Sequence, residues 1–257
     1  MITAQPPRIL SIAGSDSSGG AGIQADIKTI TVLGGYAMTA LTALTAQNTC
    51  GVAMVDAVSP AMVAAQINAC IDDIGVDAVK IGMLGSPAIA EVVAQALETL
   101  RVPIVFDPVM IATSGATLAD GATIAAFERL MALATLTTPN VAELAALGGD
   151  SGMRARGIAY LAKGGDSEGV DVIDRLVRPG TDDLVWTAPR IVTRHTHGTG
   201  CTLSSAIATR LGAGAPIEQA VADARALVRA ALLAAPGLGK GHGPLGHAAL
   251  ARSWPCG

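Results

Sequence analysis

Arg8-Ile-Leu-Ser-Ile-Ala-Gly-Ser-Asp-Ser-Ser-Gly-Gly-Ala-Gly-Ile-Gln-Ala-Asp26 sets the architecture of this chain. Its apolar run over residues 8–13 predicts a buried strand ending at Gly14. Residues 22–33 then carry a helical pattern that stops at Gly34-Gly35, giving one strand-then-helix unit. The unit recurs outward along the chain. Residues 37–46 form a Thr- and Leu-rich strand, and 60–72 a helix with Ser59 as N-cap and Pro60 as its first residue. Residues 78–81 are a strand, Ser86-Pro87 opens a helix over 88–100, and 103–106 is a strand running into Asp107. Residues 135–138 lead through Pro139-Asn140 into a short helix, and 158–162 form a further strand. Residues 170–178 and 183–187 make a hairpin turning at Pro179-Gly180. Helices starting near Cys201 and over 216–235 complete the pattern. Such alternation predicts an α/β fold, a three-layer α/β/α sandwich with a mostly parallel central sheet.

Composition narrows the function. A chain of 257 residues without a Pro- or Ser-rich linker or charge block fits one domain over 1–257. Half of it is apolar, mostly small aliphatic residues, with only two each of Phe, Tyr and Trp. A net charge of −4 lacks the basic footprint of a nucleic-acid binder, and so few aromatics offer little platform for stacking bases. No apolar stretch reaches the ~18 residues of a membrane span, and residues 1–8 lack the charged start and apolar run of a signal peptide. Cys50, Cys70, Cys201 and Cys256 form no CxxC pair, so free thiols in the cytoplasm are expected.

In open α/β sheets, ligands sit beyond the carboxyl ends of the strands. Gly14, Gln47, Met83, Asp107, Asn140, Lys163 and the loop 198–201 all follow predicted strands and should share one edge. The most telling loop is Thr196-His-Gly-Thr-Gly-Cys201, with a helix over 202–211 behind it. Gly198 and Gly200 let backbone approach a ligand, and the helix start offers unpaired N–H groups and a positive dipole end. That is a cradle for a phosphate or an oxyanion, with the Cys201 thiol where its thiolate is favoured. The same residues also describe a plain glycine-rich helix cap. Gly14 to Gly20 has P-loop spacing but puts Gly20 where the lysine belongs. Gly20-Ala-Gly-Ile-Gln-Ala25 matches a dinucleotide fingerprint but lacks its acidic partner. Asn140 and Glu143 make either a capping box or a carboxamide and carboxylate on one helix face. Asp107 is a turn cap or a metal carboxylate, and Lys163 a loop cation or a phosphate partner. Taken together they supply carboxylates for Mg²⁺, a cation and an N–H nest, the parts of phosphoryl transfer.

The blocks 14–26, Gln47-Asn-Thr-Cys-Gly51, Lys80-Ile-Gly-Met-Leu84, Asp107-Pro-Val-Met110, Thr138-Pro-Asn140 with Glu143, Lys163-Gly-Gly, 196–202 and Gly239-Lys-Gly-His-Gly-Pro244 occur in one order. In that order the chain, over about residues 8–247, resembles the hydroxymethylpyrimidine/phosphomethylpyrimidine kinases of thiamine biosynthesis, in the ribokinase superfamily. The resemblance implies a single ribokinase-like domain, a cytoplasmic homodimer, and two ATP- and Mg²⁺-dependent phosphorylations at one site. The first acts on 4-amino-5-hydroxymethyl-2-methylpyrimidine, the second on its monophosphate. It assigns Gly14, Asp26, Gln47, Met83 and Val109 to the pyrimidine, with Cys201 beside them as base. Lys163, Gly198, Thr199 and Gly200 are assigned to catalysis, Asn140, Lys163 and Thr199 to ATP, and Glu143 and Asp107 to Mg²⁺.

A Gln amide carries a donor and an acceptor, complementary to an aminopyrimidine edge, though some relatives have Glu at position 47. The segment between Asn140 and Lys163 is also shorter than the family's, leaving about one helical turn near residues 148–152. A crossover there still permits a parallel sheet. Three other readings share these residues: a pyridoxal/pyridoxine kinase of the same superfamily, a pyrimidine-binding protein with impaired turnover, and a thiol hydrolase pairing Cys201 with His195 or His197.

Overall fold

The computed structural model describes residues 5–111 and 118–253. Its first unit is β1 (Arg8–Asp16) followed by α1 (Gly22–Val32). Then come β2 (Tyr36–Asn48), β3 (Gly51–Ala57), α2 (Pro60–Asp73), β4 (Ala78–Ile81), α3 (Pro87–Leu97) and β5 (Ile104–Phe106). The second half holds α4 (Gly121–Leu133), β6 (Leu136–Thr137), α5 (Val141–Ala146), α6 (Gly149–Ala155), β7 (Tyr160–Ala162), β8 (Asp171–Val177) and β9 (Leu184–Pro189). The chain continues through α7 (Thr199–Gly212), α8 (Ile217–Leu233) and α9 (His247–Ser253). Ser59 and Ser86 cap α2 and α3 through their side chains, each with proline in the first turn, as the sequence predicts.

The nine strands among the described residues form one sheet in the order β3-β2-β1-β4-β5-β6-β7-β8-β9. From β2 to β7 every neighbour is parallel, while β3, β8 and β9 add antiparallel edges. The pleat divides the core into two layers. Leu10, Ile12, Val79, Ile81 and Phe106 face α2, α3 and α4; Ile9, Ala78 and Val105 face α1, α7 and α8. Phe106 and Phe127 meet edge-on at 5.1 Å and fix α4 over β5. The fold is thus the three-layer α/β/α sandwich expected.

Four elements depart from the sequence expectation. β3 was absent from it because nearly every residue of the strand is exposed, so no apolar alternation marks it. Helix α4 was also missed, although Asp120 caps it and Thr123, Phe127, Leu130 and Met131 form its buried face. α9 is a third addition, and α6 runs seven residues where one turn was expected. The short segment after Asn140 nevertheless delivers β7 parallel to β6. The crossover survives the shortening. Among the described residues no helix is long and apolar enough to cross a membrane. Cys50, Cys70 and Cys201 are free thiols; Cys256 lies outside the described residues.

Candidate active site

The carboxyl ends of the parallel strands open into a cleft of about 670 Å³, a size suited to small ligands. Gly14, Gln47, Met83 and Val109 line it, as do Asp107, Asn140, Glu143 and Lys163. The loop from Gly198 to Cys201 completes the wall, so all but one of the predicted site residues meet in a single cavity. Two of them shape it through packing. A Cβ at Gly14 would fall 2.3 Å from Met83 Cε, so glycine there leaves room for the thioether. Gly198 has φ +87° and a Cβ there would fall 1.9 Å from the Gly20 carbonyl oxygen. Only glycine lets the α7 start close against the 16–22 loop.

Asp26 is the exception. It is fully buried beneath the floor, where its carboxylate accepts from Ser11 Oγ at 2.6 Å and Ser205 Oγ at 2.7 Å. Lys80 Nζ, also fully buried, pairs with it at 2.8 Å. Asp26 therefore does not reach the cleft, and the residue that does is Lys80. A lysine inside an apolar strand must be paired to be buried, and that signal in residues 78–81 could have found it. Lys80 keeps its proton firmly: burial works against the charge, but Asp26, Cys201 and Asp107 outweigh it.

A second unforeseen pair ties the two glycine-rich loops together. Asp16 accepts from Ser18 N and Oγ, both at 2.8 Å, from Gly20 N at 3.0 Å and from Ala21 N at 2.8 Å. His197 Nε2 lies 2.8 Å from the same carboxylate. Burial pushes the Asp16 pKa up, but the bonds from His197, Ser18 and Ala21 outweigh it and hold it at about 2. This occupies His197. Among the described residues no histidine is hydrogen-bonded to Cys201, which removes the geometric basis for a Cys–His hydrolase.

The centre of the cleft is ionic. Lys163 Nζ donates to Asp107 Oδ1 at 2.6 Å and lies 3.7 Å from Glu143 Oε2. Thr138 Oγ1 also donates to Asp107, at 2.9 Å. Burial disfavours charge on Lys163, yet Asp107 and Glu143 hold it protonated well above the ordinary range. Burial likewise raises Asp107, but Lys163 and Lys80 pull it below the usual carboxylate range. Glu143 goes the other way: burial is the main cause, Lys163 opposes it, Asp107 adds to it, and its pKa rises to about 7. Both capping bonds of the box are made, Asn140 N to Glu143 Oε2 at 2.7 Å and Glu143 N to Asn140 Oδ1 at 2.9 Å. The capping role and a place in the cleft coexist in one residue.

The expectation that the helix start favours a Cys201 thiolate is overturned. Burial pushes the thiol up to about 11; Lys80 pulls against this, while Asp26 and Asp107 add to it. The dipole of one helix end, worth about 0.3–1 kcal/mol near the surface, is smaller than the cost of burying a charge. Gln47 keeps its amide nitrogen available, since Thr45 Oγ1 already donates to its oxygen at 3.1 Å.

Mg²⁺ typically takes one or two protein carboxylates and completes its shell with phosphate and water. Glu143 fits that role, because Oε2 serves the cap and Oε1 carries no hydrogen bond among the described residues. No cluster of three or more His, Cys, Asp or Glu able to cage a metal occurs among the described residues. The donor set suits a cation that arrives with phosphates.

A profile described as phosphomethylpyrimidine kinase matches residues 16–246. The thiamine biosynthesis bifunctional protein ThiED of Geobacter sulfurreducens is 46% identical over 256 residues, 93% of this chain and 52% of that protein. The chain thus spans about half of that relative. The hydroxymethylpyrimidine/phosphomethylpyrimidine kinase of Rhizobium meliloti is 46% identical over 255 residues, covering 93% of this chain and 96% of its own. Among solved structures, an ADP complex of Bacillus subtilis pyridoxal kinase superposes with a TM-score of 0.87 at 33% identity, covering 96% of this chain and 99% of that one. Phosphomethylpyrimidine kinase from Clostridium difficile gives 0.74 at 36% identity, over 87% of this chain and 98% of that one. With its glycine-rich loops, buried Lys163–Asp107 pair and ribokinase-like sheet, this chain belongs to the phosphomethylpyrimidine kinase family.

Proposed function

We propose that this chain, as a single ribokinase-like domain, uses ATP and Mg²⁺ to phosphorylate 4-amino-5-hydroxymethyl-2-methylpyrimidine and then its monophosphate, for thiamine biosynthesis in the cytoplasm. The observation that carries this is the meeting of the α7 start with the Lys163–Asp107 pair. A Cβ at Gly200 would lie 3.4 Å from Asp107 Oδ2 and 3.5 Å from Lys163 Nζ, so helix amides and ammonium converge on one spot. In the first turn, Thr199 N bonds back to Thr196 and Thr202 N to Gly198. The Gly200 and Cys201 amides have no acceptor among the described residues and are available to a phosphoryl oxygen.

Each residue then has a task. Met83 and Val109 sandwich the flat ring, and the Gln47 amide reads its edge. Gly200 and Cys201 amides and Lys163 hold the transferring phosphoryl group, whose bond to ADP breaks as the bond to the substrate oxygen forms, the proton on that oxygen passing to an oxygen of the transferred phosphoryl group. Cys201 acts as a neutral thiol that orients the attacking oxygen. At pH 7 a thiol with a pKa of about 11 is ionised to only ~10⁻⁴, too little for a resident base. Phosphoryl transfer depends chiefly on positioning and charge neutralisation, so a strong base is not required. Mg²⁺, when bound with the nucleotide, supplies further neutralisation of phosphate charge, and Glu143 would hold it with Asp107 behind.

Pyridoxal kinase is the second reading, favoured by the higher TM-score of the solved pyridoxal kinase. Incubation with ATP, Mg²⁺ and either alcohol, followed by mass detection of phosphorylated products, separates them. The expected result is mono- and diphosphate of the pyrimidine. Faster turnover of pyridoxal would reverse the assignment, and pyrimidine binding without ATP consumption would make the chain a binding protein.

A further inference from the structure

Arg190 follows β9 and lines the same cleft, yet no motif marks it. Its guanidinium donates to four main-chain carbonyls, three in the loop that leaves β7 and one on the first residue of β8. Nε reaches Gly169 O at 2.8 Å, and one terminal nitrogen reaches Gly165 O at 2.6 Å. The other reaches Ser167 O at 2.6 Å and Asp171 O at 3.4 Å. The Arg190 amide adds a bond to Val170 O at 2.8 Å. At the start of the loop, Gly164 N is held by Asp174 Oδ1 at 2.9 Å, and Asp174 is itself paired with Arg225 at 2.6 Å.

This pattern has an electrostatic consequence. A peptide group is planar and trans, so a carbonyl turned toward Arg190 turns the next N–H the opposite way. The Gly165 carbonyl is so held, and the following Asp166 amide has no acceptor among the described residues. Gly165 and Asp166 both line the cleft just beyond Lys163. One rigid guanidinium plane collects four carbonyl dipoles that would otherwise repel an anion, and orders the loop before any ligand arrives.

We propose that Arg190 is a positioning residue for the nucleotide: it shapes the loop over residues 164–171 so that its amides receive a phosphate of ATP. The proposal rests on the kinase function argued above. Arg190 touches carbonyls rather than the reacting atoms, so its effect falls on nucleotide binding and not on the alcohol substrate.

The test is calorimetric titration of Mg²⁺ with AMP-PCP into wild type, Arg190→Ala and Arg190→Lys, alongside KM for ATP and for the pyrimidine alcohol. Both variants should bind the analogue tenfold or more weakly and raise KM for ATP, with KM for the alcohol within twofold. Lysine should fail nearly as badly as alanine, because a point charge on a flexible stem cannot hold four carbonyls at once. Analogue affinity within twofold of wild type in Arg190→Lys would overturn the proposal, even if Arg190→Ala loses thermal stability. Equal rises in both KM values would overturn it too. No analogue binding by wild type would instead sink the kinase function, and this proposal with it.

Discussion

Glu143 closes a capping box with one oxygen and lines the cleft beside Lys163 with the rest of its carboxylate. Those roles predict different responses to one substitution. In Glu143→Gln the amide oxygen still accepts the Asn140 N–H, so the box persists and the melting temperature should barely move. The charge that would hold Mg²⁺ is gone, so turnover should fall tenfold or more. Full activity of the Gln variant at low Mg²⁺ would take Glu143 out of the site. The neighbouring Cys201 gives a second residue-scale prediction. The thiolate is the reacting species in alkylation, and burial holds this thiol at about 11. At pH 8 iodoacetamide should therefore modify the exposed Cys50 first, and modification of Cys201 should climb only as pH approaches 11. Peptide mass mapping with Cys201 labelled ahead of Cys50 would restore the activated thiolate expected from the sequence.

At the scale of elements, α9 is pinned to the helix layer through His247, whose Nε2 lies 3.2 Å from Thr29 Oγ1 on α1 and 3.0 Å from Thr202 Oγ1 on α7. Burial lowers the His247 pKa from 6.5 to about 4, with Lys28 adding to the effect. The unfolded chain thus binds a proton between pH 6.5 and 4 that the folded chain does not. Stability from this group is whole above pH 6.5 and is lost as pH falls toward 4, by about 3 kcal/mol at most. Denaturant melts across that range should show the loss, and His247→Gln should flatten it; an unchanged slope in the variant would move the effect elsewhere. Elements with local chemistry were legible in the sequence: Ser59-Pro60 and Ser86-Pro87 announced α2 and α3 because cap and proline act within one turn. The strand-end residues gathered in the cleft because a parallel sheet presents its carboxyl ends on one edge. That Lys80 needs a buried partner is legible in residues 78–81, but the partner's identity is not: Asp26–Lys80 and Asp16–His197 join residues 54 and 181 positions apart respectively, and no local pattern encodes which distant residue answers. The resemblance alone therefore sets Asp26 one layer too high, in the cleft instead of beneath it.

On the scale of the whole molecule, the β2–β3 hairpin at one end of the sheet has two unequal faces. Thr45 and Gln47 line the cleft on the inner face. Leu44 and Met54 lie on the opposite one, where Ala46 pairs with Met54 and Leu44 with Asp56. Leu44 is 49% exposed and Met54 68%. An edge strand with uncovered apolar side chains is a ready template for another chain. The family resemblance implies a homodimer, and the prediction is that its contact falls on this hairpin, each copy covering the other's outer face. Leu44→Glu combined with Met54→Glu puts charges on the apolar face without touching the inner one. Light scattering should report twice the 25.7 kDa chain mass for wild type and the single-chain mass for the variant. Because Gln47 lies near the end of the same strand, losing the partner should loosen the cleft wall and raise KM for the pyrimidine several-fold, with KM for ATP less affected. A wild-type chain that is monomeric at high micromolar concentration would refute this placement, and a double variant that stays dimeric would assign the contact to another face.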